Sequence, residues 1–132
     1  MPPSVLVVED SSVLARPLKR FLKHLGYTVH YASSCAEARA FRGPFDVGLF
    51  DIELSDGSGI NLCLELLATK VVAAAVFYSA VVHPASLQRA AQLGVVVRKT
   101  QSAEDLRQAL CSALGQAAAE GADGCCTERQ CS

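Results

Sequence analysis

A chain of 132 residues that is 51% hydrophobic, with 12 Lys plus Arg against 13 Asp plus Glu and a net charge of −1, is long enough to bury one sizeable core and is expected to form a single domain. No basic stripe or aromatic–basic interleaving marks a nucleic-acid binder, and no apolar run approaches the ~18 residues of a membrane span. The N-terminus MPPSVLVVED has no basic region followed by a long apolar segment, so no signal peptide is read there.

The first predicted element is the strand at 5–8, VLVV, which ends abruptly in Glu9 and Asp10. Its continuous apolar character predicts burial on both faces. Leu14, Leu18, Phe21, Leu22 and Leu25 then recur on one helical face, with Gly26 where a helix end is expected. Pro17 lies past the first turn and removes a backbone donor, which predicts a slight kink. A strand at 28–31 follows, and Ser34 with Glu37 has the spacing of a capping box opening a second helix. The third strand is at 47–50 and the third helix at 59–68. A fourth strand falls within 71–78, a fourth helix at 84–93 and a fifth strand at 95–97. Ser102 and Asp105 mark the start of a last helix whose face is Leu106, Ala109, Leu110, Ala113 and Leu114.

Five strand–helix alternations predict an α/β fold, a parallel sheet with helices on both faces, spanning 3–114. Residues 115–132, rich in Ala, Gly, Cys and polar side chains, are expected to be a disordered tail. Cys35, Cys63 and Cys111 fall singly in predicted helices and read as buried, reduced thiols of a cytosolic protein. Cys125, Cys126 and Cys131 lack the paired spacing of a zinc site.

In an open parallel sheet, ligands bind beyond the carboxyl ends of the strands, so the residues at each strand exit carry the functional reading. The first strand exits into Glu9 and Asp10, the third into Asp51, the fourth into Ser79 and the fifth, VVVR, into Lys99. Each alone is an ordinary cap, turn or surface residue; it is their conjunction on one edge that points to chemistry. Clustered carboxylates raise one another's pKa unless a cation neutralises them. Hard divalent ions favour oxygen ligands, and Mg2+ commonly takes one or two carboxylates, waters and a phosphate oxygen. The acids therefore read as a metal site that neutralises a phosphoryl group arriving at Asp51, with Lys99 and Ser79 donating to its oxygens.

With those residues in place, the chain resembles the receiver domain of bacterial two-component response regulators over about residues 4–114. The resemblance rests on VLVVED, LFDIELSDGSGINL, YSA at 78–80 and RKT at 98–100. It implies a flavodoxin-like doubly wound sheet of five parallel strands, order 2-1-3-4-5, with five helices. It also implies a cytoplasmic signalling domain that catalyses only its own phosphorylation and dephosphorylation, and is otherwise not an enzyme. By resemblance Asp51 is the phosphoacceptor, and Glu9, Asp10, Asp51 and the backbone carbonyl of Glu53 hold Mg2+, with Mn2+ as a substitute. Ser79 and Lys99 bind the phosphoryl group, Ala80 is the small residue after the hydroxyl, and the side chains of Glu53 and Val81 tune dephosphorylation. The implied partner is a sensor histidine kinase or histidine phosphotransfer protein, together with a downstream protein partner, and neither nucleic acid nor membrane insertion is expected.

Several positions depart from the family pattern. Ser55 and Thr100 stand where prolines are usual, and the segment from Gly94 to Lys99 is about two residues short. Val97 occupies the place read as that of the switching aromatic, two positions before the lysine. Val97 is short and stiff at χ1 and is expected to move little. Tyr78, by strand alternation, faces away from Ser79.

Three other readings compete. One is a receiver-like interaction module that does not use phosphate. Another is a small-molecule phosphatase using Asp51 and Glu53, disfavoured because its acid pair would belong on the first strand. The last is a nucleotide-binding domain, disfavoured because no Gly-rich loop follows that strand.

Overall fold

The computed structural model describes residues 2–80 and 83–117. Strand β1 (Ser4–Val8) leads to α1 (Ser12–His24), β2 (Thr28–Ala32), the short α2 (Cys35–Arg39) and β3 (Val47–Phe50). A small hairpin of β4 (Glu53–Leu54) and β5 (Gly57–Ser58) precedes α3 (Gly59–Ala68). The chain then runs through β6 (Ala75–Ser79), α4 (Pro84–Leu93), β7 (Val95–Arg98) and α5 (Ala103–Ala117). The main sheet is ordered β2-β1-β3-β6-β7 and all its pairings are parallel. Setting the hairpin aside, this is the expected five-stranded order 2-1-3-4-5 with five helices.

Alternation along the central strands explains why they are apolar throughout. Val5 and Val7 face α1 and α5, where they pack with Leu18, Leu22, Leu106 and Leu110. Leu6 and Val8 face the other way, into a core with Ala38, Ile60, Leu62, Leu66 and Phe77. A strand covered by helices on both sides has no solvent face on which to place a polar residue. The first polar side chains therefore come where the strands end.

The local signals act where the sequence placed them. At the end of α1, Gly26 has φ +100°, the Tyr27 N–H donates to the Leu22 carbonyl at 3.1 Å and the Gly26 N–H to Lys23 at 3.0 Å. This is the paired bonding of a Schellman motif. The helix runs through Pro17 without interruption. At α5 the Ser102 hydroxyl accepts from Asp105 N–H at 3.2 Å while the Asp105 carboxylate accepts from Ser102 N–H at 3.3 Å, a reciprocal capping box.

Three expectations are revised. The fourth strand takes only part of 71–78, as expected, but runs one residue further and has Ser79 as its last residue. The segment after Asp51 forms the β4–β5 hairpin, which the sequence reading missed; its two-residue turn is Ser55-Asp56, with Gly57 paired to Leu54. Cys35 and Cys63 are free and buried, but Cys111 is disulfide-bonded, a pairing that isolated spacing cannot reveal. Most of the expected tail, 118–132, lies outside the described residues, as do Cys125, Cys126 and Cys131; α5 continues past the expected boundary at 114. Among the described residues no helix is long and apolar enough to cross a membrane.

Candidate metal and phosphoryl site

The site sits at the carboxyl ends of β1, β3, β6 and β7. Because β1 lies between β2 and β3 in the sheet, its exit residues fall beside Asp51. Glu9, Asp10 and Asp51 each offer a carboxylate oxygen within 4.8 Å of the others. Glu9 is 3% exposed and Asp51 9%, whereas Asp10 is open to solvent. Three oxygen donors at this separation, one of them accessible, suit a hard divalent cation and not a soft one.

Lys99 bridges the two buried acids. Its ammonium donates to Glu9 Oε1 at 2.7 Å and to Asp51 Oδ2 at 3.1 Å. Burial pushes the Glu9 carboxyl above its ordinary range; the Lys99 hydrogen bond opposes that rise and the Asp51 charge adds to it. Burial acts to lower Lys99, but its bonds to Glu9 and Asp51 outweigh that and hold the ammonium above its usual value. The lysine is thus firmly protonated, and the pair of acids is kept in place by one shared cation.

Backbone bonds set these positions. The Lys99 N–H donates to the Ser79 carbonyl at 2.9 Å, which ties the exits of β6 and β7 together. Ser79 is fully buried and lies opposite Arg98 in the β6–β7 register. Glu9 is fixed at both ends. Its Oε2 accepts from Ser11 N–H at 3.2 Å, and the Tyr31 hydroxyl donates to its backbone carbonyl at 2.6 Å. Gly59 presses so close to Asp51 that a Cβ there would come within 1.7 Å of the Asp51 carbonyl oxygen. Its N–H donates to Ile52 at 2.7 Å. Only glycine fits that approach.

The structure therefore brings Glu9, Asp10, Asp51 and Lys99 together, with Ser79 at the end of the adjoining strand. Glu53 opens the hairpin two residues after Asp51, paired with Ser58, and its side chain is exposed. Ala80 follows Ser79 and is exposed; Val81 lies outside the described residues. Val97 is not part of the site. It is 2% exposed and packed under α1 and α5 beside Tyr78, on the face opposite Ser79. The valine that shares a face with Phe77, and hence with Ser79, is Val96. Tyr78 does face away from Ser79, as alternation required. Tyr31 and Ser11 were missed by the sequence reading: a tyrosine at the end of a strand carries no local sign of where its hydroxyl lands.

The chain is similar to known proteins in sequence and fold. A family model described as the response regulator receiver domain matches residues 5–111. The chain is 28% identical over 117 residues to the acid tolerance regulatory protein ActR of Rhizobium meliloti (strain 1021), covering 86% of this chain and 60% of that protein. It thus spans about three-fifths of that relative's length. Among solved structures it is similar to a CheY-like response regulator receiver domain protein from Methanospirillum hungatei JF-1. The TM-score is 0.82 at 21% identity, covering 92% of this chain and 100% of the other. It is also similar to the N-terminal domain of a response regulator/sensory box/GGDEF 3-domain protein from Carboxydothermus hydrogenoformans. There the TM-score is 0.76 at 27% identity, covering 89% and 98%. With more than half its length matched by the family model, and with the acids and lysine gathered at the strand exits, the chain belongs to the response regulator receiver domain family.

Proposed function

We propose that this domain receives a phosphoryl group on Asp51 from a histidine kinase or histidine phosphotransfer protein in the cytoplasm and passes the signal to a protein partner by a change of conformation. The observation that carries this reading is the cluster of Glu9, Asp10 and Asp51 with Lys99 on two of them. A carboxylate that serves only to pair with lysine needs no second and third acid beside it. Mg2+, or Mn2+ in its place, would be held by these carboxylates and the Glu53 carbonyl, and when bound would neutralise charge on the incoming phosphoryl oxygens.

The protein's own residues supply the rest. One Asp51 oxygen attacks phosphorus in line with the donor's P–N bond. That bond breaks, and its electron pair leaves with the imidazole, giving an acyl phosphate. Lys99, already on Asp51 Oδ2, follows the charge onto the phosphoryl oxygens, and the Ser79 hydroxyl donates to another of them. The side chains of Glu53, two residues after Asp51, and of Val81, two after Ser79, would set how long the acyl phosphate lasts.

The test is incubation with acetyl phosphate and Mg2+. One phosphoryl group should be added to the wild type, and Asp51→Asn should abolish labelling. Stoichiometric labelling of the Asn variant would overturn the assignment to Asp51. An unlabelled wild type would favour an interaction module that works without phosphate.

A further inference from the structure

The chain that leaves Asp51 is tied at its base and again at its tip. At the base, Gly59 packs on the Asp51 carbonyl and bonds back to Ile52, and Ser58 Oγ caps α3 by accepting from Ile60 and Asn61 N–H at 3.1 and 3.3 Å. At the tip, Asp56 leaves the hairpin and reaches α2. Its Oδ1 accepts from Cys35 N–H at 2.8 Å and its Oδ2 from Ala36 N–H at 3.1 Å. The first free N–H groups of α2 are therefore capped by a residue about twenty positions away. The next two are satisfied locally, by Ser34 Oγ on Glu37 N–H and by the Ser34 carbonyl on Ala38 N–H.

The anchor at the far end is firm. Cys35 and Ala38 are buried against the core that holds Leu6, Val8 and Ala32, the last two of which end β1 and β2. Glu9 continues from that end of β1, and its N–H donates to the Ala32 carbonyl at 3.1 Å. Asp56 thus connects the hairpin that begins at Glu53 to the structure that carries Glu9 and Asp10. We propose that Asp56 is a positioning residue for the cation site, holding the Glu53 peptide at a fixed separation from the Glu9 and Asp10 carboxylates. The proposal rests on the functional reading above. It assigns Asp56 no contact with the ion. A charged acceptor on two backbone donors is a strong, directional link, and second-layer partners of this kind tune metal affinity by holding a ligand in place.

Titration of the unphosphorylated protein with Mg2+, followed by the amide NMR signals around Asp51, tests it with three variants. Asp56→Ala should weaken the apparent affinity about tenfold, while acetyl phosphate labelling at saturating Mg2+ returns to the wild-type rate. Asp56→Asn keeps one acceptor oxygen and should fall between the two. Ser34→Ala removes the local cap of α2 but leaves the hairpin link, and should bind Mg2+ as the wild type does. Unchanged affinity in Asp56→Ala, or an equal loss in Ser34→Ala, would overturn the positioning role. A wild type that binds no Mg2+ at this edge would overturn the functional reading and this proposal with it.

Discussion

Lys99 is the residue that decides whether two buried acids can stand side by side. With 14% of its side chain exposed, between carboxylates that are 4% and 11% exposed, it acts in a medium where an unpartnered charge is costly. Lys99→Met keeps much of the volume and removes the charge, leaving Glu9 and Asp51 facing each other. Breaking a buried pair in this way costs about 3–5 kcal/mol. Urea unfolding without divalent ions should register a loss toward the lower end, because the edge is partly wet. Adding Mg2+ at about 100 times its dissociation constant should return up to about 2.7 kcal/mol by linkage. If the variant is as stable as the wild type without Mg2+, the acids are not held by this lysine. Glycine at 59 is as constrained, but sterically: its place is set by the Asp51 carbonyl.

At the scale of elements, α2 is held at its N-terminus by side-chain charge. It has five residues, too few to be stable by helix propensity alone, and its N-terminus is held by carboxylates. Glu37 accepts from the Ser33 N–H at 2.7 Å and the Ser33 hydroxyl at 2.9 Å, which lowers its pKa below 4.5. Asp56 is lowered below 3.8 by the bonds from Cys35 and Ala36. A carboxyl with a depressed folded-state pKa contributes stability above its unfolded value, and that contribution is lost as pH falls through the folded value. The difference in stability between the wild type and Asp56→Asn should therefore be full at pH 7 and begin to close only below about pH 3.8. Urea midpoints measured across that range check this. A difference that does not change between pH 7 and pH 3 would mean that the charge of Asp56 contributes nothing to α2.

Over the whole molecule, the proposed function requires that a phosphoryl group on Asp51 change a face of the domain away from that edge. Moving a two-state equilibrium from 1:99 to 99:1 takes about 5.5 kcal/mol, and a charged hydrogen bond contributes about 1.5–3 kcal/mol. Ser79 and Lys99 acting together on one phosphoryl group could supply much of that. Ser79 ends β6 with Phe77 on its own face, in the core shared with α3 and α4, so that face is the one expected to respond. Val97 lies across the sheet beneath α1 and α5 and should stay fixed. Methyl NMR with and without beryllofluoride, a phosphoryl mimic, should show a larger shift at Val96 than at Val97. A rotamer change at Val97 with Val96 unmoved would place the response on the other side of the sheet.

The five-strand alternation, the strand exits and the helix caps were legible because each depends on residues close in sequence. Apolar runs buried on both faces announce themselves, Gly26 and the Ser102–Asp105 box act within a turn, and topology alone sends Glu9, Asp10, Asp51, Ser79 and Lys99 to one edge. What needed the tertiary structure was the partner each side chain meets. Lys99 bonds to a residue 90 positions away, Asp56 to backbone 20 and 21 positions away, and Tyr31 to a carbonyl 22 positions away. The faces assigned to Val96 and Val97 show the same limit in its sharpest form. Side chains alternate along a strand, so a shift of one residue moves a valine from one core to the other. The run VVV looks identical either way, and only its pairing with β6 decides which valine lies on the side of Ser79.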